Sequence, residues 1–223
     1  MVDLFPEHAF GAFLFDMDGT LLTSIEASSR VWGRWAVQFG LDAMTFLPNS
    51  HGMRVSEVIS RLSLPGVDAD REAEDILAAE LIDLEGIRAI AGAAEFLASL
   101  PNDRWAIVTS APRALAERRL SAAGLPMPSV LVSAEDVRFG KPDPSCFLIA
   151  AQRLGVAADR CLVFEDAPAG VAAARAAGAQ VVTITAVHRH VDPASDVEAT
   201  DYRDLRTVAA SQPLAWSLLR GPA

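Results

Sequence analysis

Asp16 and Asp18 stand two residues apart where the apolar run Phe13-Leu14-Phe15 stops, and Gly19-Thr20 turns the chain behind them. The apolar run reads as a buried strand. In an open α/β sheet, ligands sit beyond the carboxyl ends of the strands, so two acids here stand at the edge of a ligand site. Together they offer enough oxygen to hold a divalent cation and still leave one oxygen free to attack a substrate. A purely structural alternative is an Asp-Gly turn closing a hairpin.

Three further segments carry reactive side chains to comparable places. Trp105–Thr109 reads as a strand running into Thr109-Ser110. Val130–Val132 reads as a strand whose following loop leads to Arg138-Phe139-Gly140-Lys141-Pro142-Asp143-Pro144. Cys161–Phe164 reads as a strand ending at Glu165-Asp166. On parallel strands these endings converge on one crevice. Four acids, a hydroxyl pair and a cation suit phosphoryl transfer, in which catalysis is mostly positioning and charge stabilisation. Mg2+ prefers hard oxygen ligands, which Asp16, Asp166 and the Asp18 carbonyl can supply. A bound cation lets a carboxylate approach an anionic phosphate. Thr109 or Ser110, with the Lys141 ammonium, can hold the non-bridging oxygens. Alternatives stand beside these roles: Thr109 as the cap of a helix starting near Pro112, Lys141 in a surface ion pair, and Glu165 as an acid that orients a ligand rather than being one. Lys141 is the one lysine among nineteen basic residues.

The intervening elements form two patterns. Between 24 and 40 the apolar positions Ile25, Val31, Trp32, Trp35, Ala36 and Phe39 trace a helical stripe ending at Gly40. Residues 54–62 and 70–84 read as two more amphipathic helices, separated by Pro65-Gly66. From residue 92 onward helices at 92–100, 112–122, 144–154 and 168–177 alternate with short apolar strands, the last of them Val181–Thr185. That alternation predicts an α/β fold with a doubly wound parallel sheet, Rossmann-like, carrying a helical cap inserted after the first strand. The core is assigned to 1–21 and 89–223 and the cap to 22–88, with hinges near Leu21–Thr23 and Gly86–Arg88. A short helix is expected at 213–219.

Composition bounds the rest. The chain has 223 residues, 51% of them hydrophobic, and a formal charge of −10. Such a charge disfavours nucleic acid and anionic membranes as partners. No apolar run reaches the roughly 20 residues needed to span a bilayer, and the N-terminus does not read as a signal peptide. Cys146 and Cys161 have no metal-binding spacing and read as reduced cytoplasmic thiols. His188 and His190 lie two apart with no acid partner evident and read as surface loop.

The order and spacing of these segments resemble the haloacid dehalogenase-like hydrolase superfamily. Asp16-Met17-Asp18-Gly19-Thr20 looks like its first motif, Val108-Thr109-Ser110 its second, Lys141-Pro142 its third, and Phe164-Glu165-Asp166 with Gly170 its fourth. The resemblance implies that Asp16 is the nucleophile of an aspartyl-phosphate intermediate and Asp18 the general acid and base. It further implies that Thr109 or Ser110 holds the phosphoryl group, that Lys141 neutralises charge, and that Asp16, Asp18, Glu165 and Asp166 form the Mg2+ site; whether Mn2+ or Co2+ serves better is left open.

Within the superfamily, the absence of any lysine besides Lys141 excludes the Schiff-base chemistry of phosphonate hydrolases. The β-phosphoglucomutase branch has a cap histidine where this chain has Ser28, and a cap lysine that is missing here. The segment Asn49-Ser50-His51-Gly52-Met53-Arg54 looks like the sugar-phosphate and polyol-phosphate phosphatases, glycerol-phosphate and 2-deoxyglucose-6-phosphate phosphatases among them. His51, Gly52 and Arg54 are therefore expected to meet the substrate, a small phosphorylated sugar or polyol, in a monomer or weak homodimer. A phosphomutase, a phosphoglycolate phosphatase-like enzyme and a non-catalytic binder of phosphometabolites are the alternatives.

Overall fold

The structure, a computed structural model, describes residues 1–47, 50, 52–187, 197–211 and 214–221. Its centre is strand β2 (Ala12–Phe15), flanked by β5 (Trp105–Val108) and β7 (Cys161–Glu165). With β6 (Val130–Val132), β8 (Gln180–Ile184) and β9 (Val197–Ala199) they form a six-stranded sheet ordered β6-β5-β2-β7-β8-β9. Every pairing in it is parallel. All four residues of β2 and of β5 are buried. That follows from helices covering both faces of a parallel sheet, which leaves no solvent side and so demands continuous apolar runs.

Alternate side chains divide between two cores. Phe13, Phe15, Trp105, Ile107 and Phe164 point to one face, against α4 (Ala93–Ala98) and α5 (Arg113–Ala122). Leu14, Ala106, Val108, Val163 and Val181 point to the other, against α6 (Ser145–Leu154) and α7 (Pro168–Ala176). The second face is packed with Ala150, Ala151, Ala173 and Ala174, whose small side chains let the helices approach closely. The alanine-rich stretch is thus a packed helix, as the sequence suggests.

Between β3 (Leu22–Thr23) and β4 (Arg88–Ala89) the described residues include three α-helices: α1 (Ile25–Gln38), α2 (Val55–Arg61) and α3 (Ala69–Glu80). They have a core of their own, built on Trp32, Trp35, Phe46, Ile59 and Ile76. The indole Nε1 of Trp35 donates to Glu72 Oε2 at 2.9 Å, so its polar edge is satisfied where its ring is buried. The two chain crossings pair with each other, Leu22 with Ala89 and Thr23 with Arg88, as a two-stranded antiparallel ribbon. The expected hinge segments therefore meet.

Over 214–219, the described part of the helix expected at 213–219, no helix forms. Trp216–Arg220 is strand β11, paired antiparallel over five positions with β10 (Leu205–Ala209) and also with β1 (Val2–Asp3). Tertiary pairing decides the state, because the two neighbouring strands satisfy the backbone on both edges. His51, His188 and His190 lie outside the described residues.

Candidate active site

The carboxyl ends of β2, β5 and β7 bring the sequence motifs to one place. Asp16 follows β2 and donates its backbone N–H to Phe164 O at 2.9 Å, which fixes it between the central strands. Lys141 arrives from the loop before α6. Its Nζ is 2.6 Å from Asp16 Oδ1, 2.6 Å from Glu165 Oε1 and 3.3 Å from Val108 O. The surface ion pair is thus not where this lysine goes, since it is 2% exposed.

Glu165 is completely buried. Its Oε1 takes the lysine, and its Oε2 accepts the backbone N–H groups of Asp166 and Ala167 at 2.9 and 3.0 Å. The room for it comes from Gly170, one turn into the next helix, where a Cβ would overlap the Glu165 carboxylate. Gly19 does the same for Asp166: its φ of 94° and the nearness of the Asp166 carboxylate leave no space for a side chain. Thr20 Oγ1 donates to Asp166 Oδ1 at 3.2 Å.

One oxygen from each of Asp16, Glu165 and Asp166 lies within 4.8 Å of the others. Three buried carboxylates face one ammonium, so ionising all of them would leave an excess of two negative charges. Burial and the neighbouring Glu165 and Asp18 charges push the Asp16 carboxyl up to about 8, against the pull of Lys141. Burial, with Asp16 and Glu165, drives Asp166 well above the ordinary range. Burial alone would lower the Lys141 pKa, but Asp16 and Glu165 raise it beyond its usual value, so it stays charged. A hard divalent cation matches both the oxygen donors and the charge excess.

Asp18 stands outside this group. Its Oδ1 accepts from Ser24 Oγ at 2.6 Å and lies 3.0 Å from Arg119 Nη1. A part for Asp18 in metal binding would accordingly fall to its backbone carbonyl. Thr109 Oγ1 accepts from Ala111 N–H at 3.1 Å, an orienting bond at the start of the next helix, while its hydroxyl still lines the cavity. Ser110 Oγ donates to Gly52 O at 2.7 Å, tying the core to the loop before α2.

Arg54 goes elsewhere than expected. Its Nη2 donates to Ala134 O and Val137 O at 3.0 and 2.6 Å, so it clasps the core loop instead of turning into the cavity. Three carbonyls in the arc of a planar guanidinium draw it there. Ser24, Glu80 and Arg119 were missed by the sequence reading. Arg118 and Arg119 are adjacent in one helix, the first exposed and the second 5% exposed; the signal that could have found Arg119 is its place on the helical stripe of Leu115, Ala116 and Leu120.

Asp16, Asp18, Ser24, Glu80, Thr109 and Arg119 border a cavity of roughly 220 Å³ between the sheet edge and the three α-helices of the insert. Its walls pair Asp16, Asp18 and Thr109 with Trp32, Met53 and Val58. A carboxylate with one oxygen free, a second acid nearby, a buried ammonium and a hydroxyl at parallel strand ends fit a phosphoryl-transfer hydrolase. The model of the haloacid dehalogenase-like hydrolase family matches residues 10–178, and the chain belongs to that family. Among curated relatives it is 42% identical to hexitol phosphatase A of Escherichia coli over 178 residues, 78% of this chain and 82% of that one. It is 34% identical to 2-deoxyglucose-6-phosphate phosphatase 1 of Saccharomyces cerevisiae over 77% of this chain and 78% of that one. A crystal structure of a hydrolase from Pseudomonas syringae is similar with a TM-score of 0.74 at 30% identity, covering 84% of this chain and 91% of that one.

Proposed function

We propose that this protein is a Mg2+-dependent phosphoric monoester hydrolase acting on a small sugar or polyol phosphate through an aspartyl-phosphate on Asp16. The observation that carries the reading is the Lys141 ammonium held between Asp16 and Glu165, 2.6 Å from each. It favours the ionised form of the Asp16 carboxylate against burial and aligns it through one oxygen, leaving the other free. The sugar and polyol phosphates named for the relatives support the substrate class.

Asp16 and Asp166, with the Asp18 carbonyl, would hold Mg2+, which supplies charge neutralisation for a carboxylate approaching an anionic phosphate. Glu165, with both oxygens engaged, serves to orient Lys141 rather than as a direct ligand. Thr109 and Lys141 donate to the non-bridging oxygens. The free Asp16 oxygen bonds to phosphorus as the bond to the leaving oxygen breaks, and protonated Asp18 gives that oxygen its proton. Asp18, now a carboxylate, takes a proton from water, whose oxygen attacks phosphorus and releases Asp16 and inorganic phosphate. The insert, taken as a cap of residues 22–88 swinging on the β3–β4 ribbon, admits substrate when open and excludes water when shut.

Among the described residues no helix is long and apolar enough to cross a membrane. Both cysteines are buried free thiols, which supports a reducing, cytoplasmic setting. The test is phosphate release from glycerol, hexitol, hexose and deoxyhexose phosphates, phosphoglycolate and β-glucose 1-phosphate, with and without Mg2+. Metal-dependent release favouring polyol or sugar phosphates is expected. Loss of β-glucose 1-phosphate without phosphate release would overturn the reading in favour of a mutase.

A further inference from the structure

The far wall of the cavity holds an ion pair that the phosphoryl chemistry does not use. Glu80, the last residue of α3, and Arg119, on α5, are 4% and 5% exposed. Arg119 Nη2 is 3.1 Å from Glu80 Oε1, and its Nη1 is 3.0 Å from Asp18 Oδ1. Ser28 Oγ donates to Glu80 Oε1 and accepts from Arg119 Nη2, each at 3.0 Å. The Nε of Arg119 is buried and finds no acceptor among the described residues. All four residues line the same cavity as Asp16 and Thr109.

The charge arrangement is asymmetric. Arg119 is the one basic side chain among the described residues lining the cavity, and it already serves two carboxylates, Asp18 and Glu80. A leaving group that brought its own carboxylate or a second phosphate would meet Glu80 in a desolvated space with no spare cation, where like charges repel far more than in water. A neutral polyol brings hydroxyls instead. These can donate to the remaining lone pairs of Glu80.

Resting on the phosphatase reading above, we propose that Glu80, held by Arg119 and Ser28, is a specificity-determining residue that admits neutral polyhydroxylated leaving groups. It rejects phosphate esters whose leaving group carries a carboxylate or a second phosphate. Because Ser28 and Glu80 belong to the insert and Arg119 to the core, the wall is assembled only when the two meet as they do here.

The experiment measures kcat/KM for a hexitol phosphate, phosphoglycolate and a glucose bisphosphate at fixed Mg2+, in the wild type, Glu80→Gln and Glu80→Asp. The wild type is expected to favour the hexitol phosphate by about a hundredfold or more, and Glu80→Gln to narrow that ratio at least about tenfold, chiefly through KM for the charged esters. Glu80→Asp, which keeps the charge, should restore discrimination. If Glu80→Gln does not fold, Glu80→Met keeps the volume without the charge and carries the same expectation. A wild type that uses phosphoglycolate as well as the hexitol phosphate, or a ratio unchanged in the neutral variant, overturns the inference alone. No metal-dependent release from any ester overturns the phosphatase reading and the inference with it.

Discussion

Lys141 Nζ lies 2.6 Å from Asp16 Oδ1, although the two residues are 125 positions apart in the chain. The contact occupies one oxygen of Asp16 and leaves the other for chemistry. Replacing Asp16 by Asn keeps the shape but removes the nucleophilic charge. Phosphate release by Asp16→Asn should fall by at least about a thousandfold. Near-normal turnover in this variant would rule out the covalent route.

Lys141→Met leaves Asp16 and Glu165 buried without their shared cation. Breaking a buried ionic group in this way costs about 3–5 kcal/mol. Urea unfolding should show that loss, together with loss of activity. An unaltered midpoint would mean that the ammonium contributes nothing to holding the acids together.

The three-carboxylate group predicts stabilisation by metal in the absence of any substrate. Mg2+ at a hundred times its dissociation constant should add about 2.7 kcal/mol, which raises the thermal midpoint by several degrees. EDTA should reverse the gain. Asp166→Asn should abolish it, and an undiminished shift in that variant would place the ion elsewhere.

Two glycines in helices should respond to alanine with opposite signs. At Gly33, in α1, a Cβ meets nothing within 4 Å, so Gly33→Ala should stabilise by about 0.5–1 kcal/mol through helix propensity. At Gly170, in α7, the same methyl group overlaps the Glu165 carboxylate. Gly170→Ala should destabilise by about 1–3 kcal/mol and impair turnover by moving Glu165 off Lys141. Equal effects at both sites would remove the argument that Gly170 makes room for Glu165.

The thiol of Cys161 is completely buried, and burial, helped by Asp159, pushes it up to about 12 from 9.0. A folded pKa above the unfolded one means stability that is whole below about pH 9 and lost as pH climbs toward 12. Iodoacetamide at pH 8 should therefore spare Cys161 in the folded protein and alkylate it in urea. Rapid labelling of the native protein would show that the strand β7 interior opens.

How much of this was legible beforehand follows from the range of the forces involved. The strands β2, β5 and β7 and their terminal residues were readable because a parallel strand buried on both faces must be a continuous apolar run. A polar residue at its end is then conspicuous. Asp16 and Asp166 stood out in that way, Lys141 as the one lysine in the loop after β6, and the helices α1 to α7 announced themselves by their apolar spacing. The segment 216–220 was misread because its state is set by β1 and β10, which come from distant parts of the chain.

The sequence by itself determined the α/β alternation, the helical insert and the identity of the acids and the single lysine, since these depend on local periodicity and residue chemistry. Only the tertiary structure decided where the ambiguous side chains point. It sent Arg54 to three backbone carbonyls, gave both oxygens of Glu165 to partners, and buried Arg119 while leaving Arg118 in water. Those choices rest on which charges and dipoles surround a group once distant segments have come together, and such fields have no counterpart in the order of residues along the chain.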